Sequence, residues 1–222
     1  KNIQKTHNGS YLVTDGHETI EYEQIVSTIP IQELTGMLNI PIPKVVQQAI
    51  KGLIVNPIYV ISLGISGKDN NQYTAMYFPE PEFLVNRISF PRTFSPHNAP
   101  RGYYSIQAEI TCRKNSAVWR DRDEDIMRHV IDGLGERKIL NPRHIVYSKI
   151  TRSPYAYVVY DKNYEHNTRI IRDWFPQQGI HLVGRFSYFE YVNVDMVIER
   201  SLDVASKLNG SPVKVVGSRI IK

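Results

Sequence analysis

The residues with the clearest capacity for chemistry lie between positions 184 and 196. Gly184-Arg185 follows a short apolar run at 180–183 and precedes an aromatic loop and a helix-like segment at 196–208. A glycine lets the backbone approach a ligand closely, an arginine offers a fork of donors, and free N–H groups at a helix start favour anions or carbonyl oxygens. This order of groups predicts binding of a phosphate-bearing ligand. The alternative is an ordinary strand–loop–helix corner in which Arg185 pairs with a surface carboxylate.

Three segments resemble motifs of one group of flavoproteins, the relatives of UDP-galactopyranose mutase, protoporphyrinogen oxidase and the flavin amine oxidases. Residues 184–196 are similar to their C-terminal flavin-contacting motif, which has a Gly-Arg pair, an aromatic loop and an Asn/Asp-x-Asp step before the last helix. Residues 153–161 with Tyr164 resemble their Ala-Tyr-Pro-Val-Tyr-Asp segment, with Val158 in place of the usual proline. Residues 24–30 resemble the strand that leads back out of the flavin-binding domain.

The resemblance implies FAD as the cofactor. Arg185 would lie near the phosphate and ribityl region, and the start of the last helix would direct its N–H groups at ribityl or isoalloxazine oxygens. Plain N-capping by Asn193 and Asp195 is the alternative. The cofactor-binding residues that follow from the resemblance are Gly184, Arg185, Asn193, Val194, Asp195 and Met196.

Substrate contacts are expected from tyrosines of the aromatic loop and of the middle motif. Tyr191 matches the loop position, Tyr155 and Tyr157 match the middle motif approximately, and Arg152 is a candidate charge partner. Structural packing is the alternative for all four residues. In this group the flavin is the reacting group, so the resemblance implies no catalytic side chain.

The predicted fold class is α+β, with a mainly antiparallel substrate-domain sheet, flanking helices, and C-terminal fragments of an FAD-binding Rossmann-like domain. Residues 1–38 would be a returning hairpin of the FAD-binding domain, 39–152 the substrate-binding domain, and 153–222 the return to the FAD-binding domain. The resemblance then requires the first 30 and the last 45 residues to pack together.

Local patterns support this organisation. Asp15-Gly16 between alternating runs at 10–14 and 19–28 predicts a β-hairpin. Further strands are predicted at 58–65, 73–78, 87–90, 103–112 and 144–151, and helices at 31–38, 44–53, 123–134 and 163–174.

One feature of such flavoproteins is absent from the sequence. Their first strand leads into a Gly-x-Gly-x-x-Gly turn and a helix that hold the pyrophosphate. The nearest segment, Gly133-Leu134-Gly135-Glu136-Arg137-Lys138, ends a helical pattern and is interpreted as a helix C-cap and turn. We therefore expect an N-terminal dinucleotide-binding segment of about 200 residues upstream. We also expect the fragment to be inactive without it.

Three functions are compatible with the sequence. The first is a flavin-dependent enzyme of nucleotide-sugar or cell-surface polysaccharide (LPS) biosynthesis, similar to the mutases, with a nucleotide-sugar as the small-molecule substrate. The second is a flavin oxidase of the protoporphyrinogen or amine type. The third is a non-catalytic binding module, which the absent phosphate-binding fingerprint favours.

Composition limits the partners and the compartment. The net charge of +5 suits an anionic ligand, but the basic residues are scattered and no nucleic-acid-binding signature is present. No apolar run is long enough to cross a membrane. The single cysteine, Cys112, is interpreted as a core residue and fits a reducing compartment, so a cytoplasmic location is expected. The seven histidines show no metal-binding spacing.

Overall fold

The computed structural model describes residues 2–69 and 71–210 of the chain. The chain divides into two compact units. One unit is the continuous segment Val55–Tyr157, and the other combines the segments that lie before and after it. The combined unit is called the split unit, and Val55–Tyr157 the sheet unit.

The described residues contain both helices and strands. The strands are β1 (Asn2–Lys5), β2 (Tyr11–Thr14), β3 (Thr19–Tyr22), β4 (Ile25–Ser27), β5 (Leu38–Asn39), β6 (Val55–Ser66), β7 (Ala75–Tyr77), β8 (Arg87–Ser89), β9 (Tyr103–Thr111), β10 (Ile145–Val158) and β11 (Ile180–Leu182). The α-helices are α1 (Ile31–Met37), α2 (Lys44–Lys51), α3 (Asp123–Glu136), α4 (Tyr164–Gln177) and α5 (Val194–Asn209).

The split unit contains two small sheets. The first has the strand order β3-β2-β1-β5, with the predicted hairpin of β2 and β3 turning at Gly16, which takes a φ of +109°. The second is a parallel pair of β4 and β11, in which Ile25 is opposite Ile180 and Ser27 is opposite Leu182. Segments near the two ends of the sequence, 25–27 and 180–182, therefore pack together, as the resemblance requires.

Helix α4 supports the parallel pair from one side. Thr168, Ile171 and Phe175 are its buried residues, and their spacing places them on a single helical face. Helix α4 packs against β11 and also against α2, which begins directly after Pro43 and buries Val46 and Ile50. Proline is well tolerated before the first turn because its missing N–H is not needed there.

The sheet unit is built on a five-stranded sheet of order β10-β6-β9-β8-β7. Along β6 every second residue from Tyr59 to Ile65 is buried, because strand side chains alternate between the two faces. Strand β9 pairs antiparallel with β6 and with β8, so that Val60 and Arg87 both lie opposite Glu109. This confirms the α+β class and the mainly antiparallel sheet.

Helix α3 covers the buried face of this sheet. Ile126, Val130 and Leu134 are buried in the core, and three acids in the first turn favour the positive end of the helix dipole. Gly133 lies within α3 and not at its end. A Cβ at this position would lie 2.4 Å from the Cε2 atom of Phe83, so the close packing of α3 on Phe83 favours glycine there. The helix ends at Glu136, two residues beyond the predicted limit of 134, with Arg137 as the C-cap residue, and Lys138 takes the left-handed φ of +56°.

Several boundaries differ from the predictions. The predicted strand 19–28 is two strands in two sheets, because β3 pairs with β2 whereas β4 pairs with β11. The predicted strand 144–151 extends to Val158 and includes most of the middle motif. The limits of the compact units along the chain are 54/55 and 157/158, and α2 belongs to the split unit, where it packs against α4. The domain limits at 38/39 and 152/153 stay predictions.

Candidate functional site

The carboxyl ends of β4 and β11 lie at one edge of the split unit. In parallel strands these ends coincide, and ligands of α/β sheets bind in the crevice beyond them. Strand β4 leads into α1, and β11 leads through Val183 into Gly184-Arg185. The N–H of Val183 donates to the carbonyl oxygen of Ser27 at 2.9 Å, which ties the two ends together. The backbone N–H of Ile31 donates to the carbonyl oxygen of Phe186 at 3.1 Å.

Gly184 has the backbone conformation that the sequence pattern anticipates. Its φ is +88°, in a region that residues with a Cβ rarely adopt, and no heavy atom lies within 4 Å of the position that a Cβ would occupy. The glycine is therefore selected by its backbone angle and leaves open space beside the chain.

The start of α5 is exposed and lacks a side-chain cap. Asn193 is the N-cap residue, with φ −84° and ψ 171°, yet its side chain makes no capping hydrogen bond. Asn193, Val194, Asp195 and Met196 are all exposed. The first N–H groups of a helix have no intrahelical acceptor and concentrate partial positive charge. The Asn193 side chain thus does not cap α5. The backbone N–H groups of the first turn of α5 are suited to an oxygen-rich ligand.

Arg185 braces the aromatic loop between Gly184 and Asn193. Its guanidinium donates to the carbonyl oxygen of Val192 from Nε at 3.2 Å and from Nη2 at 2.8 Å. The same group lies 4.6 Å from the ring centroid of Tyr191, at the distance of a cation–π contact. Arg185, which the sequence predicts to bind the cofactor, and Tyr191, which it predicts to bind substrate, are therefore neighbours.

The corner has a concave side. A cavity of about 310 Å³ lies between β11, the aromatic loop and α5, and its lining includes Gly184, Tyr188, Val192, Val197 and Arg200. Helix α5 has no buried residue, and Val194 and Ile198 are 75% and 56% exposed. The helix thus presents apolar side chains to solvent in the described part of the chain.

The donor set of this corner fits FAD. An uncapped helix start and a guanidinium suit phosphate, ribityl and ring oxygens, and Gly184 lets the backbone come close to a ligand. The hydroxyls of Ser27 and Ser187 are buried and find no hydrogen-bond partner among the described residues, although buried hydroxyls are normally paired. Of the predicted cofactor residues, Gly184 lines the cavity, and the hydrogen bonds from Arg185 to Val192 bring Arg185 next to the start of α5. The cofactor roles of all six residues stay predictions.

The substrate candidates on β10 lie in the sheet unit. The phenol of Tyr157 donates to Oε2 of Glu109 at 3.2 Å, and Glu109 forms an ion pair with Arg87 across the sheet. Glu109 and Arg87 were not singled out from the sequence, because a charged pair on neighbouring strands has no signature in a single chain. Tyr155 and Tyr157 are both half-buried.

Arg152 is engaged by its own unit. Its guanidinium donates to the Asp123 carboxylate at 2.6 Å and to the carbonyl oxygens of Trp119 and Asp121, at 3.1 and 2.6 Å. It also lies 4.8 Å from the ring centroid of Tyr59. The hydrogen bond with Asp123 raises the pKa of Arg152 above its ordinary value. These contacts favour the packing alternative, and its substrate role stays a prediction.

Two other sequence expectations concern metals and membranes. In the described ranges, no cluster of three or more His, Cys, Asp or Glu side chains could hold a metal ion. Within the same ranges no helix is both long and apolar enough to span a membrane. Cys112 is half-buried, and burial raises the pKa of its thiol above the ordinary value, although Ser116 and Arg152 act in the opposite direction.

Comparison with solved structures relates this fold to flavoproteins. A reduced UDP-galactopyranose mutase superposes with a TM-score of 0.80 and 19% identity, over 94% of this chain and 45% of its own. A protoporphyrinogen oxidase-like protein from Exiguobacterium sp. 255-15 gives a TM-score of 0.66 and 15% identity, over 91% and 46%. Putrescine oxidase bound to putrescine gives a TM-score of 0.69 and 12% identity, over 95% of this chain and 48% of its own.

These likenesses confirm, at the level of the fold, the group that the motifs resemble. The chain spans less than half of the length of each of these structures. No protein-family model and no curated protein sequence matches the chain. The fold is therefore shared with mutases and oxidases of this group, and a specific activity is a matter for proposal.

Proposed function

We propose that this chain is the C-terminal part of an FAD-dependent enzyme. The observation that carries the proposal is the corner at the carboxyl ends of β4 and β11, where Gly184 with its φ of +88° and the uncapped start of α5 meet. Gly184, Arg185, Asn193, Val194, Asp195 and Met196 are the residues that would hold the cofactor. When bound, FAD would supply the redox or nucleophilic chemistry of its isoalloxazine ring.

The residues of the chain would bind and orient. The N–H groups at the start of α5 would donate to cofactor oxygens, and the helix dipole would favour negative charge there. Arg185 would hold Val192 and Tyr191 in place beside the cofactor. Tyr191 would contact substrate, with Tyr155 and Tyr157 as the candidates of the sheet unit. No side chain is proposed to be catalytic.

An upstream dinucleotide-binding segment would complete the protein. A parallel pair of strands is normally covered on both faces, and isolated two-stranded sheets are marginally stable. Val26 on β4 is 50% exposed, and α5 has no buried residue and exposes Val194 and Ile198. These surfaces, and the share of length covered in the solved structures, support a larger domain into which the split unit inserts.

For the reaction, we favour a mutase-like isomerisation of a nucleotide-sugar in cell-surface polysaccharide biosynthesis. The mutase gives a TM-score of 0.80 with this chain, and the Gly-Arg loop carries Tyr191 and Asn193 at the matching positions. The runner-up is an oxidase acting on an amine or a porphyrinogen, which the likenesses to putrescine oxidase and to the protoporphyrinogen oxidase-like protein support.

The experiment uses the complete protein that contains this chain. Purified protein is examined for bound FAD by absorbance, then assayed for nucleotide-sugar isomerisation with and without dithionite, and for oxygen consumption with amines or protoporphyrinogen. Isomerisation that requires dithionite supports the mutase, and oxygen consumption supports the oxidase. A complete protein that binds no FAD eliminates both and leaves the binding module.

A further inference from the structure

The aromatic loop at 184–193 is held by side chains that the sequence analysis did not assign to it. Within this loop Phe189 is only 1% exposed and has a φ of +56°, an unusual backbone angle for an aromatic residue. Strained backbone persists where the surrounding structure over-determines it, and it concentrates at ligand sites. The contacts that impose this conformation therefore bear on the ligand.

Arg172 of α4 is the centre of these contacts. Its Nε and Nη2 atoms donate to the carbonyl oxygen of Tyr188 at 3.1 and 3.0 Å, and Nη2 also donates to that of Phe189 at 3.2 Å. The guanidinium lies 4.0 Å from the ring centroid of Tyr188. The planar fork of an arginine can satisfy two successive carbonyls in this way, whereas a lysine is a point charge.

Two tyrosines near the start of α4 complete the arrangement. The phenol of Tyr164 donates to the carbonyl oxygen of Phe189 at 2.8 Å, and the N–H of Tyr191 donates to the phenol oxygen of Tyr160 at 2.9 Å. The rings of Tyr160 and Tyr164 are 4.2 Å apart. Burial raises the pKa of the Tyr164 phenol, although the neighbouring Arg172 acts in the opposite direction.

The far end of the loop is tied to α5. Arg200 forms an ion pair with Glu190, in which Nη2 and Oε1 are 2.8 Å apart. Arg172 lies 4.0 Å from the other oxygen of Glu190. The loop is consequently fixed from α4 on one side and from α5 on the other, at successive residues around Phe189.

We propose that Arg172 and Tyr164 are positioning residues, which hold the loop 184–193 in its ligand-binding conformation before the ligand arrives. This inference rests on the proposed function for the identity of the ligand, FAD. It gives part of the middle motif a second role: Tyr160 and Tyr164 act on the loop of the last motif, so that the two motifs form one physical unit.

The test compares Arg172→Gln and Tyr164→Phe with the parent, in the complete protein. Arg169→Gln is the matched control, because Arg169 lies on the same helix, is exposed, and is replaced with the same loss of charge. The first measurement is amide hydrogen exchange at 185–192 in protein stripped of cofactor. We expect exchange in this loop to quicken roughly tenfold in Arg172→Gln, and less in Tyr164→Phe, with the β6 and β9 amides unchanged.

The second measurement is the binding of added FAD. We expect its Kd to rise roughly tenfold in Arg172→Gln and to stay at the parent value in Arg169→Gln. The midpoint potential of the bound flavin should move to more negative values, because a loosened helix start stabilises the reduced ring less. A general loss of stability would not move that potential. Arg172→Lys should recover little, since a lysine lacks the planar fork that donates to both carbonyls and stacks on the Tyr188 ring.

The outcomes separate the two proposals. Unchanged loop exchange in Arg172→Gln overturns the positioning role, whether or not the parent binds FAD. Faster exchange with an unchanged FAD Kd also overturns it, because the loop conformation would then be irrelevant to the ligand. A parent protein that binds no FAD refutes the proposed function, and loop exchange then decides by itself whether Arg172 and Tyr164 fix the loop.

Discussion

Ile25 and Ile180 are direct partners in the parallel pair of β4 and β11, although one lies near the beginning of the sequence and the other near its end. Two residues further along each strand, Ser27 and Leu182 are also paired, and beyond them the chain turns towards Pro30 on one side and Gly184 on the other. The pairing places the loop after Gly184 at the carboxyl edge of the strands, where ligands of open α/β sheets usually bind. Predictions about the corner therefore depend on the geometry that this pair of strands sets.

Replacing Arg185 with alanine should affect the cofactor more than the fold. The guanidinium donates to the carbonyl oxygen of Val192 and lies over the ring of Tyr191, so the free energy of unfolding should fall by only about 1 kcal/mol. Retention of FAD should fall roughly tenfold or more, because a charge-assisted donor to the cofactor is lost. Gel filtration followed by the ratio of flavin to protein absorbance measures the retention. Equal flavin content in Arg185→Ala, in the parent and in an Arg169→Ala control would assign Arg185 to the loop alone.

Gly184→Ala should destabilise the protein through its backbone. A Cβ would meet no neighbour, so the cost comes from the φ of +88° and should be about 1–2 kcal/mol. Urea unfolding measures it. Gly36→Ala is the contrasting control: Gly36 lies within α1, with no neighbour near a Cβ and no positive φ, and alanine there should stabilise by about 0.5–1 kcal/mol. If both substitutions change stability in the same direction, the backbone explanation fails.

Arg152→Gln separates the two roles considered for Arg152. Loss of its bonds to Asp123, Trp119 and Asp121 should lower the free energy of unfolding by about 1 kcal/mol, since the partners are partly exposed. The KM for substrate should stay at the parent value. Arg101→Gln serves as the control, because Arg101 is exposed and the substitution removes the same charge. A higher KM with unaltered unfolding would restore Arg152 as a substrate ligand.

Cys112 should react slowly with alkylating reagents. Burial raises the pKa of its thiol, so less thiolate is present at a given pH than for a free cysteine. The rate with iodoacetamide at pH 8 should be below that of free cysteine, and should continue to rise at pH values where free cysteine has levelled off. Protein unfolded in urea should react at the ordinary rate. Fast alkylation of the folded protein would contradict the buried setting.

The sequence was informative where a local pattern and the fold agree. The turn at Gly16, the start of α3 at Asp123 and the position of α5 followed from turn chemistry, helix-dipole preference and periodicity. The short strands β1 and β5 were missed, because two to four residues carry no periodicity and β5 pairs with a strand far from it in sequence. Partners of that kind are fixed by tertiary packing.

The residues of the candidate site also fall into those that the sequence could predict and those that it could not. Gly184 and Arg185 could be found because their types and order carry the chemistry. The role of Arg172 could not be predicted, because an arginine in the middle of an amphipathic helix is expected to face solvent. Its role depends on two carbonyl groups that a loop bends towards it, and backbone carbonyls have no sequence signature.

The left-handed backbone of Phe189 sets a constraint on how this chain can diverge. Glycine would adopt that backbone angle at less cost, but it would leave empty the space that the buried ring now fills. In related sequences, replacement of Phe189 by a smaller residue should therefore be accompanied by a larger side chain among the residues that contact position 189. Substitutions at position 189 and at the positions that contact it should thus occur together. An alignment of homologues would show them as covarying positions.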